Sequence, residues 1–498
     1  MKKIFSLMLV LVLAFAFFGN VAPASAQARN ASWVVSVTYQ NVGTGPTTVS
    51  VTFYEEDSAT PITFDPLDGG TIAAGAGRSF FIGSVTNLAE GFRGNAVMAS
   101  SEPLVATVVQ FSQDAGFIMR LLSNGFGDTS ASDQFLVATT LANTFSRTTI
   151  FSIQNTEAEE IEATVNFYNT NGVLQANEPH LIPAYSSKYI EVDVPSITGL
   201  PSSTFNGSAI VTAEKTSDST PANVVVGVSE LYTNANIAAN FEGVPLGAAA
   251  NTVYMATGLC ERFGLDTFYA VQNASLTPGD DASITVTYYN QTGTVKATDG
   301  PYVLGPGQKK SIVTCAPDDG TDMTSFTGSA KIVSTGAVIV AVGKAQNSIN
   351  AGTTGTALVF TIFNGEPSGQ SNLALPFVRW ANDADYNAAT NTGGKQRAFL
   401  AIQNLGGADA NVTVHYNDKN GDTVASETLV IDPNAKANSS ADSAGALGQN
   451  GMLAGSFGYY TDGSFGGGVI IESDQPVIAI SRVQNPGAGE DYNGVLAP

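Results

Sequence analysis

The chain is expected to be all-β, built from antiparallel sandwiches that repeat along the sequence. Three observations carry this reading. One residue pattern recurs four times, the segments within each copy alternate apolar and polar residues, and no helical period of useful length occurs beyond the first 26 residues. Four copies of one pattern mean four copies of one folding unit, not a single large enzyme.

Each copy is anchored by Gln-Asn, at Gln40-Asn41, Gln154-Asn155, Gln272-Asn273 and Gln403-Asn404. Each pair closes one alternating stretch and precedes another: TVSVTFYEEDS, EATVNFYNTNG, SITVTYYNQTG and NVTVHYNDKNG. The shared core of the second stretch is Val51-x-Phe53, Val165-x-Phe167, Val286-x-Tyr288 and Val414-x-Tyr416. Alternation of this kind marks a half-buried strand, and the short turn between the stretches makes a hairpin. Copy three carries a three-residue insertion, placed near Pro278-Gly279. A turn rich in Pro or Gly follows, at Ile72-Ala73-Ala74-Gly75, Leu181-Ile182-Pro183, Val303-Leu304-Gly305-Pro306 and Val430-Ile431-Asp432-Pro433.

An aromatic residue and a glycine then open the next strand, at Phe92-Arg93-Gly94, Phe205-Asn206-Gly207, Phe326-Thr327-Gly328 and Phe465-Gly466-Gly467. The strand after it is almost continuously apolar (PLVATVVQF, ANVVVGVSE, AVIVAVGKA, PVIAISRVQ), as strands covered on both faces are. Copies two to four also open with FLVATTLA, NTVYMATGL and LALPFVRWA, whereas copy one starts at Ala31-Ser32-Trp33 with no such segment. The copies end in similar segments, SNGFGDTS, FNGEPSGQ and, at the chain's end, GEDYNGVLAP, whose Val495-Leu496-Ala497-Pro498 reads as a stub of a next strand. A unit lacking one strand exposes a sheet edge. Copy one is therefore expected to accept a strand from a neighbouring molecule, giving linear assembly.

Six or seven short strands in roughly 115 residues is the size of an Ig-like sandwich. The pattern of the motifs quoted above resembles tandem Ig-like or fibronectin-III-like repeats of exported bacterial surface proteins, over nearly the whole chain. The resemblance implies a surface stalk, adhesin or envelope-layer protein. The expected division is residues 27–127, 128–244, 245–366 and 367–498, one sandwich each, after a leader of residues 1–26. In that leader Lys2 and Lys3 precede the apolar run Ile4 to Phe18, and Ala24-Ser25-Ala26 is a small-residue cleavage site, so it reads as an export signal. No other apolar run has the ~20 residues of a spanning helix, and no sorting signal is visible at the C-terminus. The exported chain is expected outside the cell or on its surface, without covalent attachment to the membrane.

A formal charge of −22 with only 21 Lys and Arg argues against nucleic acid or anionic lipid as partners. The expected partners are other copies of the chain, envelope components or glycans. Cys260 and Cys315, both in copy three, suggest a disulfide worth about 4 kcal/mol on the chain-entropy argument, the alternative being two buried thiols.

His180 and His415 lie in different copies, and no HExxH, GxSxG, P-loop or paired Cys-His spacing is present. The acidic clusters Glu55-Glu56-Asp57, Glu157 to Glu160, Asp280-Asp281 and Asp318-Asp319 fall at hairpin turns, where charge is solvated. Asp418, Asn420 and Asp422 resemble part of a calcium loop. Yet Tyr416 would occupy its first ligand position, and Asn-Gly is more simply a hairpin turn.

No catalytic residue and no other cofactor is expected. The reading is a non-enzymatic structural or adhesive protein. Two alternatives are a carbohydrate-binding array using Trp33, Trp380, Tyr459 and Tyr460, and a hydrolase with an unrecognised site.

Overall fold

The computed structural model describes residues 32–112, 120–192, 197–201, 203–232, 237–347, 359–388, 395–448, 464–485 and 488–497. Residues 1–26, read above as a leader, lie outside them. The described chain is built of antiparallel sheets. Its one described α-helix is the four-residue Asp383–Tyr386, and no described helix is long and apolar enough to cross a membrane.

Copy two shows the plan. Its eight strands, in order, are Gln134–Ala142, Arg147–Asn155, Ile161–Asn169, Leu174–Ile182, Ser187–Glu191, Phe205–Lys215, Val224–Tyr232 and Ala238–Glu242. One sheet runs fourth-third-sixth-first and is extended by the short Val244–Pro245; the other runs fifth-second-seventh-eighth. Copy three, from Thr252–Cys260 to Phe360–Asn364, repeats both orders. In copy four the sixth and seventh strands are one run, Phe465–Asn485, which joins both halves into a single eight-stranded sheet. Among the described residues copy one shows no counterpart of the first strand, and its smaller sheet is Pro61–Phe64, Val49–Glu55 and Gly94–Ser100.

The strand order differs from the Ig arrangement. An Ig sheet pairs its first strand with the second and its seventh with the sixth. Here the first strand pairs with the sixth, and the seventh with the second. An eighth strand is added beyond the seventh.

The recurring motifs have concrete roles. The aromatic of Val-x-Phe/Tyr meets the phenylalanine of Phe-x-Gly edge to face in every copy: Phe53 with Phe92, Phe167 with Phe205, Tyr288 with Phe326, Tyr416 with Phe465. Their centroids are 5.6–6.1 Å apart. Such a pair adds about 1 kcal/mol beyond area burial. The glycine is required by the same crossing. A Cβ at Gly94, Gly207, Gly328 or Gly467 would lie 1.9–2.0 Å from the carbonyl oxygen of Tyr54, Tyr168, Tyr289 or Asn417.

The asparagine of Gln-Asn is fully buried in all four copies. In copy two Asn155 Nδ2 donates to the carbonyls of Glu159, Ile182 and Pro183 at 2.8, 3.1 and 3.0 Å, and Oδ1 accepts from Glu157 N at 2.8 Å. One amide thereby fixes the hairpin and the proline turn to the strand end. Asn41, Asn273 and Asn404 make the matching bonds.

The copies follow one another in sequence but do not run along a line. The hairpin after the third strand of one copy enters the turn before the fifth strand of the next. A Cβ at Gly172 would stand 2.3 Å from Pro306 O, one at Gly293 2.2 Å from Pro433 O, and one at Gly421 2.2 Å from Ala74 O. The third of these joins copy four back to copy one. Between copies one and two the contact is Asp57 N to Ser187 O at 3.3 Å and Ser186 Oγ to Glu55 O at 2.9 Å.

Apolar cores merge across the junctions. Val109 and Leu122 of copy one pack in the core of copy four, Ala270, Val340 and Val342 of copy three with that of copy two, and Ile478 and Ile480 of copy four with that of copy three. The four copies form a closed circle.

Asn155→Asp keeps the volume and the acceptor but removes three donated bonds and places a charge where no water reaches. The expected loss is about 3 kcal/mol in urea-induced unfolding. An unchanged midpoint would contradict the role given to this amide.

Candidate functional site

The eighth strands of the four copies, Arg120–Asn124, Ala238–Glu242, Phe360–Asn364 and Ala488–Asn493, meet around one axis. Each ends in a residue followed by glycine: Asn124, Glu242, Asn364 and Asn493. Asn124 Nδ2 donates to Asn493 O at 2.8 Å, Asn493 Nδ2 to Asn364 O at 3.0 Å, and Asn364 Nδ2 to Glu242 O at 2.9 Å. Glu242 Oε1 accepts from Asn124 N at 2.5 Å and completes the cycle.

Acidic groups gather beside it. Burial pushes the Glu242 carboxyl up to about 7, with Glu366 nearby adding to the rise, and it also raises Glu366. Glu490 is 1% exposed. Burial, with Asp491 next to it, drives Glu490 well above the usual carboxylate range. Asp491 is paired with Arg482 through Nε at 2.8 Å and Nη2 at 2.6 Å, and Thr361 Oγ1 of copy three donates to it at 2.8 Å.

The junctions hold buried cations. Between copies two and three, Glu230 is fully buried and receives Arg147 Nη1 at 3.1 Å and Lys344 Nζ at 2.5 Å; Lys344 also donates to Thr139 Oγ1 at 2.8 Å. Burial alone would raise the Glu230 carboxyl, but Lys344 and Arg147 outweigh it and hold the group low. Losing one partner of such a set costs about 3–5 kcal/mol, because the others stay buried and uncompensated.

Lys309 and Lys436 open the fifth strands of copies three and four. Each reaches back to the Phe-x-Gly glycine of the preceding copy, Gly207 O at 2.9 Å and Gly328 O at 3.0 Å. Burial lowers both ammonium groups to about 7. Tyr189 Oη does the same work on Gly94 O at 2.7 Å. At the closing junction Arg78 Nη1 donates to Lys419 O.

Cys260 and Cys315 are bonded, with Cα atoms 5.0 Å apart, and tie the end of copy three's first strand to the turn after its fifth. Asp266 Oδ1 lies 3.2 Å from Cys315 Sγ and accepts from Glu261 N at 2.7 Å. These three residues are the one metal-capable grouping among the described residues. Two sulfurs bonded to each other are not thiolate ligands.

Asp418 is buried, and its Oδ1 accepts from Asn420 N at 2.7 Å and Asp422 N at 3.1 Å. Asn169 and Asn290 cap the matching hairpins in the same way. Asn420 and Asp422 are exposed.

The acidic turns are engaged, one across the junction of copies one and two and the others within their own copies. Asp57 pairs with Lys188 at 2.6 Å, Glu159 with Lys215 at 2.9 Å, and Asp319 accepts from Thr298 N at 2.7 Å. His415 Nδ1 lies 2.9 Å from Ser426 Oγ on the neighbouring strand, and burial lowers His180, which is 3.9 Å from Glu178.

A cleft of about 250 Å³ in copy four is lined by Trp380, Asn382, Asp383, Arg397, Asp442 and Leu447. Trp380 is 6% exposed, its ring covered by the Arg397 guanidinium at 4.8 Å and met by Phe399 at 5.1 Å. It therefore offers no flat platform to a sugar. Trp33 is half-buried against the core shared by copies two and three. Tyr459 and Tyr460 lie outside the described residues.

The remaining candidate is the outer edge of Gly94–Ser100, beside which no described strand takes the place of the first. The axial and junction residues were not singled out in the sequence, although the Asn-Gly and Glu-Gly repeats at the copy ends were visible there. No family model and no curated protein matches the chain.

Glu242 gives a pH dependence of definite sign. Its carboxyl titrates near 4.5 when solvated and near 7 in the fold. The folded chain holds the extra proton between those values, so stability falls as pH rises from about 4.5 to about 7 and is level above. Glu242→Gln should remove roughly 2 kcal/mol of that fall, allowing for water at the half-buried carboxyl. Urea midpoints across this range measure it, and parallel curves for the two proteins would refute the assignment.

Proposed function

We propose that the chain is an exported, non-enzymatic structural or adhesive protein of the cell surface. In this reading residues 27–127, 128–244, 245–366 and 367–498 are four Ig-like or fibronectin-III-like units, delivered by a leader of residues 1–26. One observation carries it above the others. The buried ionisable groups (Glu230 with Arg147 and Lys344, Lys309, Lys436, Asp491 with Arg482) bind strands and copies to one another. Their chemistry makes a rigid block, and it is not turned toward a substrate.

The cleft beside Trp380 is where a glycan or hydrolytic reading would place its site. Its Asp383 carboxylate is 87% exposed and paired with Arg397 at 2.5 Å. Exposed to water and held by Arg397, it is not enclosed in a cleft against a substrate. The partners proposed are envelope components, glycans or further copies of the chain, met through the polar, sparsely charged outer loops. No nucleic acid is proposed as a partner, because the acidic net charge opposes it.

Cell fractionation with immunogold labelling tests this reading. Label on the envelope or outside the cell, on a chain beginning after Ala26, is expected. Label confined to the cytoplasm on a chain retaining residues 1–26 would overturn it.

A further inference from the structure

We propose that the outer edge of Gly94–Ser100 takes up an extended segment of another protein chain, which occupies the place filled in copies two to four by their own first strands. The inference rests on the proposed removal of residues 1–26, since a retained leader would supply an apolar segment of its own, and the test therefore uses the chain beginning at Gln27.

Three internal templates define the occupant. In copy two the first strand runs antiparallel to the sixth, pairing Phe135 with Val211, Val137 with Ala209 and Ala142 with Phe205. Copy three pairs Val253 with Ile332 and Met255 with Ala330; copy four pairs Leu373 with Ile471 and Leu375 with Val469. In copy one the sixth strand pairs with Val49–Glu55 on one side, and no described strand lies on the other.

The missing strand leaves core positions open. Phe205, Ala209 and Val211 are at most 2% exposed, as are Ala330, Ile332, Phe465, Val469 and Ile471. Their counterparts Phe92, Ala96 and Met98 are only half-buried, and Val97 is 40% exposed. The edge also lacks the devices that keep edges single. Gly94-Asn95-Ala96-Val97-Met98-Ala99-Ser100 contains no charge and no proline, and its pairing with Val49–Glu55 shows no bulge.

The geometry excludes two occupants. With residues 1–26 removed, as proposed above, the chain before Trp33 has fewer residues than the nine to eleven of the template strands, before any turn is counted. Edge-to-edge pairing of two Gly94–Ser100 strands would only extend the sheet, because Ala96 and Met98 of each molecule already face their own core. The occupant is therefore a donor segment with unengaged apolar side chains. By the templates of copies two and three it is about nine residues long, uncharged and antiparallel, and it carries apolar groups at alternate positions.

A synthetic peptide with the sequence of Gln134–Ala142 is the probe, and the same peptide with serine for its Phe, Val and Leu residues is the control. Amide exchange along Gly94–Ser100 of the full exported chain is followed by mass spectrometry, alongside the thermal midpoint. The outward amides should exchange fast in the free protein. With the probe they should slow by about tenfold or more and the midpoint should rise with dose, with no response to the control. Amides already protected in the free protein, or exchange indifferent to the probe at saturating excess, would overturn the proposal.

Discussion

Closure of the circle is the constraint on which the other features depend. Gly421 enters the turn at Ala74 as Gly172 enters the turn at Pro306, so the last copy meets the first through the contact that joins the middle ones. A head-to-tail interface of this kind yields an open filament unless its rotation closes. Here it closes after four units within one chain. Only a closed arrangement brings four short strands to one axis, where Asn124, Asn493, Asn364 and Glu242 complete a cycle of hydrogen bonds. In an extended string those side chains would lie on separate surfaces in water.

The electrostatics follow from the same geometry. Glu242, Glu366 and Glu490 would be ordinary solvated acids on isolated units, and Lys309 and Lys436 ordinary strand lysines. Closure removes their water, raising the acids and lowering the lysines. The two sets respond to pH in opposite ways. The axial acids favour the fold at low pH. The lysines, lowered from 10.5 to about 7, add stability as pH rises above about 7, where the folded chain has already released a proton that the unfolded chain keeps. Neutral pH is then where these buried groups help least, and the apolar contacts across the junctions carry the assembly there.

Much of the single unit was legible in the sequence. Alternation at Val165-x-Phe167 and its equivalents marks the third strand, and Phe-x-Gly marks the sixth because the ring and the bare Cα share one crossing point. The insertion of copy three falls in the turn after Asn273, and among the described residues no strand of copy one precedes Trp33–Asn41. The Gln-Asn pair was visible as a landmark, while the task of its asparagine, holding a hairpin and a turn to one strand end, became clear only from the bonds.

What escaped was how the copies meet. Lys309 and Lys436 sit at polar positions of short strands, where solvent is the default expectation, and Asn124, Asn364 and Asn493 precede glycine as turn residues do. Val495–Leu496 reads as the stub of a next strand, yet it pairs with Leu373 and Ala374 of its own copy. Local pattern describes what a segment folds into, whereas closure depends on rotations between units that no residue encodes alone. The exchange of first and seventh strands relative to an Ig sheet was hidden for a similar reason, since both strands are apolar on both faces.

Small-angle scattering from the chain without residues 1–26 in dilute solution tests the closed circle most directly. A compact body of this length has a radius of gyration of about 23 Å, whereas four units of the same mass strung in a line give about 40 Å. The account predicts the smaller value, unchanged on dilution. The larger value, or a distance distribution with the long tail of a rod, would contradict it.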